Sequence, residues 1–482
     1  MVRRACIVLS LLVCAVPAVR ADVKPHPLFS DGMVLQQQTK CPVWGTADSK
    51  EQVMIELITD TPTVESRVVQ ADDKGNWRAD ITTPKAGGPF KLSIKGKNHI
   101  TLNDVYVGEV WIASGQSNME WPVNAGESPA EIKEKSANPK IRLFTVRKAI
   151  ADKPQTTVPV VGNDGKWLEC GPNTVGPFSA VAYHFAKDLQ KALDVPVGII
   201  HTSWGGTRAE AWTSRTALEA NPNYKGEYVS FDKAREKGPS KNPNDPSVLY
   251  NGMIAPLIPF AINGVIWYQG ESNAGKHKLY RELMTTLIKN WRDDWKQGNF
   301  TFLIVQLAPF MRIDSEPKDT DWARLREAQL QTSLTVPKVG LAVITDVGNE
   351  KDIHPKPKEP VGARLALAAR AIAYGQKMEY SGPAYDGLKV DGNKAILSFT
   401  HLGGGLDAKG GPLTGFTIAG EDKKFHNAQA EIQDDKIIVT SDKVAKPVAV
   451  RFGWANFPVV NLWNKAGLPA SPFRTDTWEQ MR

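Results

Sequence analysis

Cysteine is scarce in this chain. Four occur in 482 residues, and two of them, Cys6 and Cys14, stand near the start. A scaffold built on disulfides is excluded. No close Cys/His cluster exists, so the usual signature of a zinc site is missing as well. Long apolar runs are absent after Val19, where nothing approaches the ~20 apolar residues of a membrane span. Charge of one sign does not gather either. The 59 basic and 52 acidic residues give a formal net charge of +7. The basic residues are spread along the chain and are not interleaved with aromatics, so they describe a solvated surface and not a nucleic-acid site. No internal repeat is present. What remains is an ordinary folded composition, 41% hydrophobic and 23% charged, which excludes whole-chain disorder. At ~150 residues per domain, the length suggests about three domains.

The first residues stand apart. Arg3 and Arg4 precede an apolar run from Ile7 to Val19, and Val19-Arg20-Ala21 offers small residues where a signal peptidase reads. This pattern predicts a secretory signal peptide over residues 1–21 and a secreted or periplasmic protein. Cleavage would remove Cys6 and Cys14, leaving Cys41 and Cys170 as a pair that could join in an oxidising compartment. It would also remove three arginines and lower the net charge to +4.

The rest divides by pattern. Residues 22–104 carry short strand-like runs such as Val53 to Ile58 and Phe90 to Ile94, punctuated by Gly45, Asp72 to Asn76 and Gly87-Gly88. Many short strands with polar turns predict an N-terminal β-sandwich. From residue 105 to 375, apolar runs alternate with helical patterns. The runs are Val107 to Ala113, Val197 to His201, Gly264 to Tyr268, Phe302 to Gln306 and Leu341 to Thr345. Between them, Leu283, Leu287, Trp291 and Trp295 recur every fourth residue, which predicts a helix from Lys278 to Trp295. A second helix is expected from Glu359 to Tyr374, with Pro360 in its first turn and Gly375 as its stop. Such alternation predicts an α/β domain with a parallel sheet flanked by helices. Residues 215–250 are polar, contain four prolines and read as a surface excursion. Residues 376–482 return to short strands and predict a C-terminal β-rich domain.

In open α/β sheets, ligands bind beyond the carboxyl ends of the strands. Those positions here carry Ser114 to Met119, His201 to Thr207, Gln269 to Asn273, and Asp346 with Asp352-Ile353-His354-Pro355. A hydroxyl, glycine amides, an amide side chain and carboxylates with a histidine are the inventory for acyl transfer through a serine. Gly115 allows a tight turn that puts the Ser117 hydroxyl at a helix start, where backbone N–H groups are free. Met119 stands where the α/β-hydrolase elbow needs its second glycine, so that motif is not present.

Gly115-Gln116-Ser117-Asn118-Met119, Trp204 to Thr207, Trp267 to Asn273 and Asp352 to Pro355 together resemble the sialate O-acetylesterase family of SGNH-type hydrolases. Leu249 to Ile254 and Gly467 to Asp476 resemble it too, so the similarity runs from about His26 to the end. The resemblance implies a serine esterase acting on acetylated sugars, with Ser117 as nucleophile and His354 as its base. It implies an oxyanion hole from the Ser117 amide, a glycine amide at Gly205 or Gly206, and the Gln269 side chain. Gln116 and Glu271 would support that corner. SGNH-type enzymes usually place the aspartate three residues before the histidine, where Lys351 stands here. Asp352 is the expected third member, with Asp346 or a backbone carbonyl as alternatives. Trp204, Arg208 and Trp212 stand beside the glycine turn as sugar-pocket or packing residues, and His201 reads as structural. No metal and no organic cofactor is implied, and the expected partner is an acetylated sugar or glycan. The oligomeric state is not readable. Acetylated xylan is the rival substrate, since the ester bond is the same. A carbohydrate-binding protein with a dead esterase domain is the rival of another class, and the intact Ser117 and His354 argue against it.

Overall fold

A computed structural model of the chain describes residues 22–59 and 63–478. The expected signal peptide lies outside them. The centre is a parallel array of six strands: β1 (His99–Gly115), β2 (Asn138–Thr145), β3 (Val197–Ser203), β4 (Gly264–Tyr268), β5 (Thr301–Val305) and β6 (Val339–Ala342). Their spatial order is β2-β3-β1-β4-β5-β6, with Trp167–Cys170 antiparallel on the outer edge of β2.

Both faces of this sheet are covered, which is why most of its strands read as apolar runs. Side chains alternate across the strands. Trp111 and Ala113 of β1, Ile199 of β3, and Ile266 of β4 face one layer with α2 (Ala180–Leu193) and α5 (Glu359–Ile372). Val110 and Ile112, Ile200, and Val265 and Trp267 face the other layer. There α3 (His277–Trp295) buries Leu283, Leu287, Trp291 and Trp295, the stripe expected from sequence, against α4 (Asp321–Thr335).

β1 is 17 residues long and serves two sheets. Its first half pairs with Gly87–Lys95 and Val34–Gln36, which belong to the N-terminal β-structure. Its second half pairs with β3 and β4. The change of pattern near residue 104 thus falls inside one strand, and the N-terminal sheet continues directly into the parallel one. A second N-terminal sheet of Lys24–Pro25, Lys40–Thr46 and Asn76–Thr82 packs Val43, Trp77 and Ile81 into the same core as Val53, Ile55 and Leu92.

After α5 the chain forms three small antiparallel sheets between Ala384 and Arg474. They share a core around Leu397, Phe416, Val439 and Phe452. The buried Arg326 of α4 fixes this region to the central one. Its guanidinium donates to Leu307 O, Ala308 O, Ala455 O and Asn456 O at 2.8–3.0 Å, and burial pushes its pKa down to about 9.

Several expectations change. β6 spans Val339–Ala342 and not Leu341 to Thr345, and α5 ends at Ile372, short of Tyr374. β2 and the Trp167–Cys170 strand were not expected, because Lys140 and Arg142 interrupt the apolar pattern of the first and the second is four residues long with Glu169 inside it. The polar stretch 215–250 carries two helices, Arg215–Glu219 and Lys225–Arg235. Ser214 caps the first, and Arg215 pairs with both carboxylate oxygens of Asp232 on the second at 2.7 Å. Cys41 and Cys170 are both free and buried. Each thiol donates to a backbone carbonyl, Gln36 O and Ser136 O, and burial pushes both pKa values up to about 12.

The junction inside β1 has a tight point. A Cβ on Gly108 would lie 2.0 Å from Pro196 O, the carbonyl at the entry to β3. Gly108→Ala is expected to destabilise the protein by ~1–3 kcal/mol. Gly226→Ala, where a Cβ meets nothing within 4 Å, serves as the control. Thermal unfolding followed by circular dichroism checks this. Equal midpoints for both variants would contradict the close fit.

Candidate active site

Gly115 ends β1 with φ +137°, a conformation that favours glycine, and a Cβ there would stand 2.2 Å from Tyr268 O. The next N–H, of Gln116, donates to the same carbonyl at 3.0 Å. This close approach to β4 turns the chain sharply into a one-turn helix, α1 (Ser117–Glu120). Ser117 therefore sits at the first helical position with its hydroxyl at the carboxyl end of the sheet.

The loop after β6 brings His354 to it. His354 Nε2 lies 2.8 Å from Ser117 Oγ, within hydrogen-bond reach. The ring is held in two ways. Trp121 stacks on it, with centroids 4.7 Å apart and planes at 16°. Asp352 Oδ1 accepts the backbone N–H of His354 at 2.9 Å and stands 3.6 Å from Nδ1. That last distance is too long for a hydrogen bond and acts through charge. Asp346 is committed elsewhere, since Arg364 binds both of its oxygens at 2.6 and 2.8 Å. Partial burial, and then the Lys358 ammonium, hold the His354 pKa below its ordinary 6.5, with Asp352 opposing them.

A buried amide joins the two loops. Asn118 Nδ2 donates to Glu271 Oε1 at 2.6 Å and to Ile353 O at 3.0 Å. Asn118 Oδ1 accepts from Lys358 Nζ at 2.6 Å. Lys358 is itself buried, with its ammonium 5.6 Å from the Tyr268 ring and 6.0 Å from the Trp121 ring. Burial draws its pKa down to about 7, against the pull of Glu271 and Asp352. Burial likewise raises the Glu271 pKa. Gln116 Oε1 accepts the Ser272 N–H at 3.2 Å, a second tie between the β1 and β4 ends.

The expected oxyanion donors divide. Gly205 lies against Ser117, with a Cβ position 3.2 Å from Ser117 Cβ. Gly206 is exposed, with φ +75°. Gln269 is a correction. It is wholly buried, and its NH2 group donates to Thr207 O at 3.1 Å and Asn273 Oδ1 at 2.7 Å. Both hydrogens are spent inward, so Gln269 braces the turn that carries Gly205 and does not face Ser117. Trp212 is a core residue, fully buried and donating to Thr207 Oγ1. Arg208 binds Asn244 O. His201 is buried beside Ser203 Oγ, and burial lowers its pKa to about 4, so it stays neutral.

A cavity of about 500 Å³ opens over the pair, lined by Ser117, Glu120, Trp121, Lys148, His201 and His354 among others. Sequence reasoning missed Trp121, Glu120, Lys148, Asn118 and Lys358. Three of them lie within four residues of Ser117, on the helix it begins or at its C-cap, and that proximity was the available signal. Among the described residues, no group of three or more His, Cys, Asp or Glu is gathered to hold a metal ion. No helix among them is long and apolar enough to cross a membrane.

Comparison with known proteins identifies the family. Residues 107–370 match the family model described as carbohydrate esterase, sialic acid-specific acetylesterase. The sialate O-acetylesterase of Pongo abelii is 31% identical over 406 residues, covering 77% of this chain and 75% of that protein. The human sialate O-acetylesterase is 30% identical over the same shares. A solved carbohydrate acetylesterase from Xanthomonas citri superposes with a TM-score of 0.85 at 40% identity, covering 95% of this chain and all of that one. The chain thus belongs to the sialic acid-specific acetylesterase family of carbohydrate esterases, and it is a carboxylic ester hydrolase.

Proposed function

We propose that this enzyme removes acetyl groups from O-acetylated sialic acid by a serine mechanism on an SGNH-type sheet. The observation that carries the chemistry is the 2.8 Å contact between Ser117 Oγ and His354 Nε2 at the floor of an open cavity. Ser117 Oγ attacks the acetyl carbonyl carbon and its proton passes to His354 Nε2. The carbonyl oxygen becomes an anion facing the Ser117 and Gly205 amides. The carbon–oxygen bond to the sugar then breaks, and the sugar oxygen takes the proton from His354. Water attacks the acetyl-enzyme by the reverse path, giving acetate and free Ser117. For this, His354 must be neutral and carry its proton on Nδ1, the nitrogen beside Asp352. Asp352 then stabilises the imidazolium that forms. The likeness, over 77% of this chain, to relatives named sialate O-acetylesterase supports the choice of sugar. The leader-like residues 1–21 support export to the periplasm or beyond.

Acetate release from O-acetylated sialic acid, compared with acetylated xylan, tests the substrate. A higher kcat/KM on the sialic compound is expected, and a preference for xylan would replace it. Ser117→Ala is expected to lose at least ~10³-fold in kcat on aryl acetates while its circular dichroism is kept. Activity within tenfold of wild type would remove Ser117 from the reaction.

The pH profile carries a further expectation. Neutral His354 is the working form, and its pKa is held below 6.5. The rate should therefore fall in acid through an ionisation below 6.5, and stay flat above it. Lys358→Met removes a cation that disfavours the imidazolium, so the acid limb should move to higher pH, whatever the change in absolute rate. A limb that stays in place would show that Lys358 does not act on His354 through charge.

A further inference from the structure

The Gly205 amide beside the nucleophile is covered. Its N–H donates to Glu120 Oε2 at 2.6 Å. The other oxygen of Glu120 accepts from Lys148 Nζ at 2.5 Å. The Lys148 ammonium rests 5.3 Å from the centroid of the Trp204 ring, a favourable place for a cation. Gly205 is so close to Ser117 that a Cβ on it would stand 3.2 Å from both Ser117 Cβ and Glu120 Oε2. An acetyl carbonyl attacked by Ser117 turns its oxygen toward this corner, and that oxygen gains negative charge as the bond forms. A carboxylate on the same N–H takes the donor and repels the new charge. Glu120 therefore has to leave before the reaction proceeds.

Its surroundings allow it to leave. The side chains of Glu120 and Lys148 are 31% and 42% exposed, and ion pairs this open to water are held weakly. Departure of Glu120 strands Lys148, which is the only lysine or arginine among the described residues lining the cavity. Asp164 lines it as well, so without Lys148 the remaining charge repels an acidic ligand. A second carboxylate reaching Lys148 restores the lost pair and holds Glu120 away from Gly205.

We infer that Lys148 is the specificity-determining residue that accepts the carboxylate of an acidic acetylated sugar, and that this exchange displaces Glu120 and frees the Gly205 amide. The inference rests on the sugar acetylesterase reading and deepens it. It explains how one site favours an acidic sugar over a neutral one while the bond broken is the same.

The test measures acetate release from O-acetylated sialic acid and from the same compound with its carboxyl masked as a methyl ester. The readout is the ratio of their kcat/KM values. Wild type is expected to favour the free acid by about two- to fivefold, the gain that one restored ion pair near a surface supports. K148Q should bring the ratio to about one, and K148R should keep it. E120A should narrow the ratio from the other side, because the neutral ester no longer waits for Glu120 to leave. A wild-type ratio near one, or a K148Q ratio equal to wild type, overturns the inference and leaves the deacetylase reading intact. Release from acetylated xylan with none from either sialic compound overturns the sugar assignment, and this inference with it.

Discussion

The catalytic geometry hangs on the buried amide of Asn118. Ser117 and His354 are far apart in sequence and sit on separate segments. Ser117 begins the one-turn helix α1 and His354 lies in the loop after β6, and no sheet or helix pairing among the described residues ties the two segments to each other. Asn118 does so with one side chain: its NH2 bridges Glu271 and the Ile353 carbonyl, and its oxygen takes the Lys358 ammonium. Hydrogen bonds to charged groups contribute about 1.5–3 kcal/mol each, and leaving such a group unpaired in the interior costs more. The network is therefore stable only as a set, with the nucleophile turn, the end of β4 and the histidine loop in one arrangement. Lys358 then acts twice, as a tie through Asn118 and as a charge near His354. Trp121 lies between them, close to the Lys358 ammonium and stacked on the imidazole.

The sheet supplies the frame for that arrangement. β1 enters as a strand of the N-terminal sheet and leaves between β3 and β4 in the parallel one, so Ser117 follows a strand shared by both sheets. At its end, backbone approaches backbone at Gly115 and Tyr268, and only glycine fits. Gln269, the residue just after β4, is buried under the same corner and steadies the Thr207 turn. The result is a rigid floor and a charged rim. Asn118 and Gln269 are inaccessible to solvent, while Glu120 and Lys148 are open to it.

Much of this was legible in the sequence, for physical reasons. The strands buried on both faces are unbroken apolar runs, and α3 carries its buried stripe at four-residue spacing. Chemistry-bearing residues just past those strands marked the site, and Ser117, Gly205, Asp352 and His354 do converge. The illegible parts have reasons too. Gln269 stands at a strand end like the others, but sequence position does not say whether an amide points into a cavity or under it. Trp212 and Trp121 are equally near the motif, yet one is core and the other stacks on His354. β2 escaped notice because Lys140 and Arg142 interrupt it, and Arg142 is satisfied by Asp104 and Glu169, far away in sequence. The partners of Asn118 come from three segments that only the fold brings together.

The central claim is that Ser117 carries the acetyl group during turnover. Rapid acid quenching of the wild-type enzyme with an aryl acetate, whose good leaving group favours build-up of the intermediate, tests it most directly. Peptide mass spectrometry should then find an acetyl group on Ser117, in step with the first burst of released phenol, and none on that peptide in Ser117→Ala. An acetyl group on another residue, or a burst with no acetyl group on Ser117, would contradict it.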